Sequence, residues 1–188
     1  KFMCVSQSLK SSIVKLTNTT KPIDVLPNII DSKFRYKPCV EKADFIFFSA
    51  GNFVKGKAFD VLIKAFIKAF SNEENVKLLI AGDGPEKPSF QKLITNNSRE
   101  DQIKLLGRLD RDTMIKNYEL CDCFVLASRR ETFGIVYREA MAIGRPVIST
   151  RNGGIEEGWE DNYGLLTQID HIGQLIRALR DMRDNINC

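Results

Sequence analysis

The 188-residue chain has one histidine, one tryptophan and six prolines. It has no apolar run near the roughly 18 residues that a membrane span requires; the best, at 45–50, is strand length. His171 is the lone imidazole, and a zinc site wants about four ligands in paired spacing, so a structural zinc module is excluded. The five cysteines, Cys4, Cys39, Cys121, Cys123 and Cys188, are odd in number and scattered. Cys121 and Cys123 fall two apart in a strand-like stretch, where both point to one face and cannot easily bridge. Buried free thiols in a reducing cytoplasm are therefore expected. Neither G-x-G-x-x-G nor a Walker loop is present, which weighs against hydride carriers and P-loop NTPases. Lys1 opens the chain without an initiator Met, a basic–apolar leader or a cleavage site, and a piece of a longer protein is expected. With 43% hydrophobic and 28% charged residues, the balance is globular and excludes disorder, collagen and fibrous repeats.

Charge is uneven. Residues 1–43 carry eight Lys/Arg against three Asp/Glu, while the remainder carries 20 against 21. A nucleic-acid binder should show a basic stripe with interleaved aromatics on its folded unit, and this one does not. The basic leader reads as a solvated segment or as a peripheral contact with an acidic membrane surface.

From residue 44 onward, apolar strand-like runs at 45–50, 77–82, 103–107, 123–127, 146–150 and 163–166 alternate with helical periodicities. Within 57–70, the i, i+3, i+4, i+7 spacing of Phe59, Leu62, Ile63, Phe66, Ile67 and Phe70 predicts an amphipathic helix. Further helices are expected near 86–96, 110–120, 135–144 and 170–185. Asp110 supplies N-cap chemistry for the third, and Gly144 with Pro146 supplies a stop for the fourth. Strand–helix repetition of this kind predicts an α/β fold: a Rossmann-like, doubly wound, parallel six-stranded sheet. Residues 1–43 behave differently. A short strand at 4–6, a helix through Leu16 and the stretch VLPNIID cannot close a core, so they read as the tail of a preceding domain plus a linker.

In an open parallel sheet, ligands bind at the carboxyl ends of the strands, where helix N-termini point their free amides outward. The loops there are GNFVKGK, GDGPE, SRRETFG and RNGGIEE. Each alone is bland, since a glycine after a strand usually permits a turn and a loop lysine is usually solvated. Four converging on one rim point to a site. In ETFGIVYREA, Gly134 lets a ligand approach the backbone, and the amides near Ile135 and Val136 open a helix suited to an anion. Val136, Ala140 and Ile143 form one helix stripe expected on the sheet. Glu139 lies off it, either reaching the rim or solvated, and Glu131 is either a site carboxylate or a helix-end charge.

GNFVKGKAFDVLIKAF, LLIAGDGPE, IKLLGRLDRDTMIKNYELCDCFVLAS, ETFGIVYREAMAIGRPVIST and GGIEEGWEDNYGLL resemble, in order, the motif series of the retaining nucleotide-sugar glycosyltransferases of the GT-B fold. The nearest group is their family 4, which assembles bacterial capsule, lipopolysaccharide and glycolipid. The resemblance covers nearly all of 44–168, and VLPNIID is similar to the family's interdomain linker. It implies a C-terminal, donor-binding half of a two-domain enzyme over 44–188, with a remnant of the first half and linker at 1–43. By the same resemblance, Lys57 meets the donor diphosphate, Glu131 lies beside the donor sugar, and Glu139 hydrogen-bonds the nucleotide ribose. Gly51, Asn52, Gly82 and Gly84 border the donor. Backbone groups of Phe133, Gly134, Ile135 and Val136 meet sugar and phosphate, and Arg108 and Leu109 flank the base. Asn52 stands where the family usually has an arginine, which removes a bidentate phosphate contact. Ala58 and Ile29 replace usual glycines, and Glu156 replaces a usual proline.

The implied reaction moves a sugar from a UDP- or GDP-linked donor, with retention, onto a glycan or lipid-linked glycan held mainly by the other domain. No cofactor or metal ion is implied. The location implied is the cytoplasm or the inner face of the membrane, and the fragment alone is expected to bind donor without transferring sugar. A non-catalytic nucleotide-sugar or partner-binding domain, and an epimerase or phosphorylase of the same fold, stay open.

Overall fold

The computed structural model describes residues 2–186. Its main body is a six-stranded, all-parallel sheet of β3 (Phe45–Ala50), β4 (Val76–Ala81), β5 (Ile103–Gly107), β6 (Cys123–Leu126), β7 (Val147–Thr150) and β8 (Gly164–Thr167), preceded in the chain by the short strands β1 (Phe2–Cys4) and β2 (Ile23–Val25). The spatial order is β5-β4-β3-β6-β7-β8. The chain therefore winds outward from β3 in one direction, returns, and winds outward from β6 in the other. A parallel sheet reversed in this way leaves a crevice beyond the carboxyl ends of its two central strands. Register runs from Phe45↔Val76 to Ala50↔Ala81 on one side of β3 and includes Phe47↔Cys123 on the other.

The central strands are apolar except for Ser49, whose hydroxyl donates to the Val125 carbonyl, because both faces are covered. Phe47, Phe48, Phe124, Val125 and Leu126 are fully buried. Helices α2 (Phe59–Ala69), α3 (Lys87–Thr95) and α6 (Ile172–Asn185) pack together, as do α4 (Arg111–Leu120) and α5 (Ile135–Ile143). Phe47 packs edge-on to Phe66 of α2, while Phe48 meets Tyr118 of α4 at 5.2 Å and Phe124 meets Tyr137 of α5 at 5.7 Å. Edge-to-face rings add about 0.5–1.5 kcal/mol per pair beyond burial.

Two helix expectations are refined, one at a helix start and one on a buried face. The periodicity at 57–70 begins as a helix only at Phe59, because Lys55–Lys57 forms a 3₁₀ turn and Ala58 adopts a left-handed φ of 51°. On α5 the buried face is Tyr137, Glu139, Ala140 and Ile143, whereas Val136 is half-exposed. Ala140 and Ile143 of the expected stripe are thus fully buried and Val136 packs against the core, while Tyr137, whose hydroxyl donates to the Leu126 carbonyl at 2.9 Å, and Glu139 widen the buried face.

Residues 2–43 do form a strand–helix–strand unit. β1 and β2 pair in parallel around α1 (Gln7–Thr17) as a separate two-stranded sheet. The following stretch packs on the main body. Phe34 is buried against Tyr118, Asp31 pairs with Arg111 at 3.3 Å, the Lys37 amide donates to the Ile143 carbonyl at 3.0 Å, and Lys42 pairs with Asp122. The helix α1 also touches the rim: the Ser6 hydroxyl donates to the Thr132 carbonyl, and the Gln7 amide donates to the Glu157 carboxylate at 2.8 Å. Cys4, Cys121 and Cys123 are free and buried as expected. Cys39 is disulfide-bonded, which corrects the expectation of free thiols throughout, and Cys188 lies outside the described residues.

Candidate functional site

The crevice at the winding reversal is bordered by the loop after β3 (51–58) and the loop after β6 (127–134). These two loops bring Lys57 and Glu131, 74 residues apart in sequence, into a direct ion pair between Lys57 Nζ and Glu131 Oε1. The Ser128 hydroxyl donates to the same carboxylate oxygen at 2.8 Å. Glu131 is 9% exposed and Lys57 24%, so the pair is screened less than a surface one.

Arg129, which the sequence motif did not single out, fastens the two loops. Its guanidinium pairs with Asp170 at 2.8 Å and donates to the Lys55 carbonyl, and its own amide donates to the Gly56 carbonyl at 2.8 Å. A residue inside a charged SRRE run gives no sequence signal for such a brace, because the partners lie in distant loops.

Beside the pair runs a groove of about 420 Å³, lined by Gly51, Asn52, Gly82, Arg108, Leu109 and Val136 together with Asp83, Met114, Ala50 and Ala81. Six of the expected donor-site residues thus share one wall. Gly82 is required there: its φ is +144°, and a Cβ would stand 1.9 Å from the Gly51 carbonyl oxygen. Gly84 is not part of that wall. It packs against the Phe53 backbone, where a Cβ would meet the carbonyl oxygen at 2.7 Å, so its place is in the turn. The Phe133 side chain is buried beneath the Arg138 guanidinium, 4.6 Å from the ring centroid, leaving only its backbone for the rim. Gly134, at φ +71°, heads α5 without a side-chain cap, so the first amides of that helix, those of Ile135 and Val136, have no intrahelical partner. With the helix dipole they favour an anion.

Glu139 sits inside α5 rather than on a solvated face. The buried Tyr118 hydroxyl donates to Glu139 Oε2 at 3.0 Å and lies 3.2 Å from the Val136 carbonyl oxygen. Burial holds the Glu139 carboxyl above its ordinary range; the Tyr118 hydrogen bond and the Arg111 charge oppose this, and Asp31 adds to it. Tyr118 is itself pushed well up, by burial first and then by the Glu139 charge. Tyr118 was legible only as an apolar-periodic position of a helix, so its pairing with Glu139 was missed. Among the described residues no three His, Cys, Asp or Glu side chains cluster to hold a metal ion, and no helix is long and apolar enough to cross a membrane.

This architecture is a Rossmann-like α/β domain with the fold of the C-terminal domain of GT-B proteins. The family profile described as "Glycosyl transferases group 1" matches residues 32–185, and the chain belongs to that family. It is 34% identical over 191 residues to N-acetyl-alpha-D-glucosaminyl L-malate synthase of Bacillus anthracis, an alignment covering 96% of this chain and 49% of that protein. The chain therefore spans about half the length of this relative. A mutant of S. aureus TarM in complex with Fondaparinux, alpha-GlcNAc-glycerol and UDP superposes with a TM-score of 0.87 at 23% identity, over 97% of this chain and 36% of that one. The C-terminal domain of a glycosyl transferase group 1 family protein (LpcC) from Francisella tularensis superposes with a TM-score of 0.72 at 21% identity, over 83% of this chain and 88% of that one.

Proposed function

We propose that residues 44–188 are the donor-binding half of a retaining glycosyltransferase that uses a nucleoside-diphosphate sugar, and that residues 1–43 are the end of an N-terminal domain and its linker. The observation that carries this reading is the Lys57–Glu131 contact, whose lysine stem lies beside Gly51 of the groove wall, so that a leaving group and a sugar would meet there. The nucleotide lies along the groove with its base near Arg108 and Leu109 and its ribose hydroxyls on Glu139. Lys57 and the α5 amides of Ile135 and Val136 face the diphosphate, and the backbone at Phe133 and Gly134 faces sugar hydroxyls. Glycosyl transfer passes through an oxocarbenium-like state as a negative diphosphate departs. A fixed ammonium and a helix N-terminus stabilise charge where it develops, without a proton transfer. Glu131 orients the sugar and supports its positive charge; it is not assigned as a nucleophile.

UDP in the TarM complex supports a UDP-linked donor, with GDP as the alternative. The acceptor, a glycan or lipid-linked glycan, is held mainly by the other domain, in the cytoplasm or at the inner face of the membrane. A second reading, a nucleotide-sugar-binding domain without turnover, is favoured by Asn52, which lines the groove where the resemblance places an arginine. Calorimetry with UDP, GDP and ADP and their nucleosides tests the site. Lys57→Ala should weaken the preferred diphosphate about ten- to a hundredfold and leave the nucleoside unchanged. Equal losses on both would remove Lys57 from the phosphate position.

A further inference from the structure

The ammonium assigned to the diphosphate is already bound by a carboxylate. We propose that Glu131 and the donor's diphosphate compete for Lys57, so that arrival of the diphosphate withdraws the lysine and frees Glu131 for the sugar. The inference rests on the donor-site reading above.

The two partners of the pair differ in how firmly they are held. Glu131 keeps a second hydrogen bond, from the Ser128 hydroxyl at 2.8 Å, and its loop is braced through Arg129 to Asp170 at 2.8 Å and to the Gly56 carbonyl. Gly154 lies tightly beneath it, where a Cβ would stand 2.7 Å from the Glu131 carbonyl oxygen. The carboxylate is thus fixed at 9% exposure. Lys57 is the movable member: a point charge on a flexible four-carbon stem. That stem runs beside the groove, its Cδ 3.7 Å from the position of a Cβ on Gly51, and Gly51 is part of the groove wall. A swing of the ammonium toward Gly51 needs no rearrangement of either loop.

Two consequences follow from charge. A carboxylate held next to the phosphate position repels the diphosphate and takes up its cation, which weakens donor and product binding alike and speeds product release. Once the ammonium leaves, Glu131 Oε1 keeps only the Ser128 donor and has an open lone pair for a sugar hydroxyl. The same exchange sets both positions at once.

A double-mutant cycle over Lys57→Ala and Glu131→Gln tests this, with UDP, GDP, ADP and inorganic pyrophosphate as probes and the nucleosides as controls. Glu131→Gln should bind the diphosphates about tenfold tighter, as expected for releasing one charge-assisted bond, with nucleoside affinity unchanged. Lys57→Ala should then cost more in the Glu131→Gln background than in the wild type. Additive losses, or no tightening, overturn the competition while leaving the donor site standing. No diphosphate binding to wild type or variant removes both. Should the variants unfold, the wild-type protein labelled at glutamate carboxyl carbons gives the same answer. Binding of a diphosphate should shift the Glu131 resonance, and a resonance that stays in place while binding proceeds overturns the exchange.

Discussion

The carboxylates of the E-x(7)-E pair, Glu131 and Glu139, occupy opposite electrostatic settings. Glu131 has a cation in contact, whereas Glu139 has only a phenol, and burial raises its carboxyl. The native state therefore keeps a proton that the unfolded chain gives up. This contribution to stability is complete below the ordinary carboxylate value and is lost as pH rises toward the raised one. Urea unfolding at a series of pH values from about 4 to 7 should show that decline in the wild type, and Glu139→Gln should abolish it. A slope that persists in the variant belongs to another group. The same burial that raises this carboxyl was not readable from the sequence. Spacing puts Glu139 off the stripe of Val136, Ala140 and Ile143, and only the fold brings Tyr118, 21 residues upstream, to hydrogen-bond it.

At the scale of elements, the six strands and five helices of the main body were legible because short, largely apolar runs alternate with longer stretches of helical spacing or capping residues. The ends moved for local reasons. β7 starts at Val147 because Pro146 has no N–H to give the ladder, and α2 starts late because Ala58 breaks it. The packing of Phe34 on Tyr118 was hidden in a basic, proline-containing stretch, and the Arg129 brace in a charged loop. Ala58 itself carries a cost. A non-glycine residue at φ 51° is strained by about 1–2 kcal/mol, and glycine relieves that while losing about 0.5–1 kcal/mol to the greater freedom of its unfolded chain. Ala58→Gly should therefore stabilise the protein by about 0.5–1 kcal/mol, read as a rise in the urea midpoint with an unchanged slope. A drop would mean that the buried methyl contributes more than the backbone strain costs.

At the scale of the whole molecule, the winding reversal between β3 and β6 explains how residues 74 apart meet, and α1 reaches the same rim through Ser6 and Thr132. The groove and the Lys57–Glu131 pair lie wholly within this chain. Closure against a second domain is what brings an acceptor and excludes water in such enzymes. Among the described residues, 2–43 form two short strands and one helix before the stretch that packs on the main body, too little for an acceptor domain. The purified 188-residue chain should thus bind a nucleoside diphosphate without transferring sugar. Affinity should fall on the order of micromolar to millimolar, since Asn52 offers no charge-assisted phosphate contact and the two-domain proposal puts part of the cleft on another domain. At about 100 times the dissociation constant, the ligand should still add about 2.7 kcal/mol of stability, a readable thermal shift. Sugar transfer by this chain alone would overturn the two-domain account. The absence of a shift with UDP, GDP and ADP at millimolar concentration would count instead against a preformed donor site.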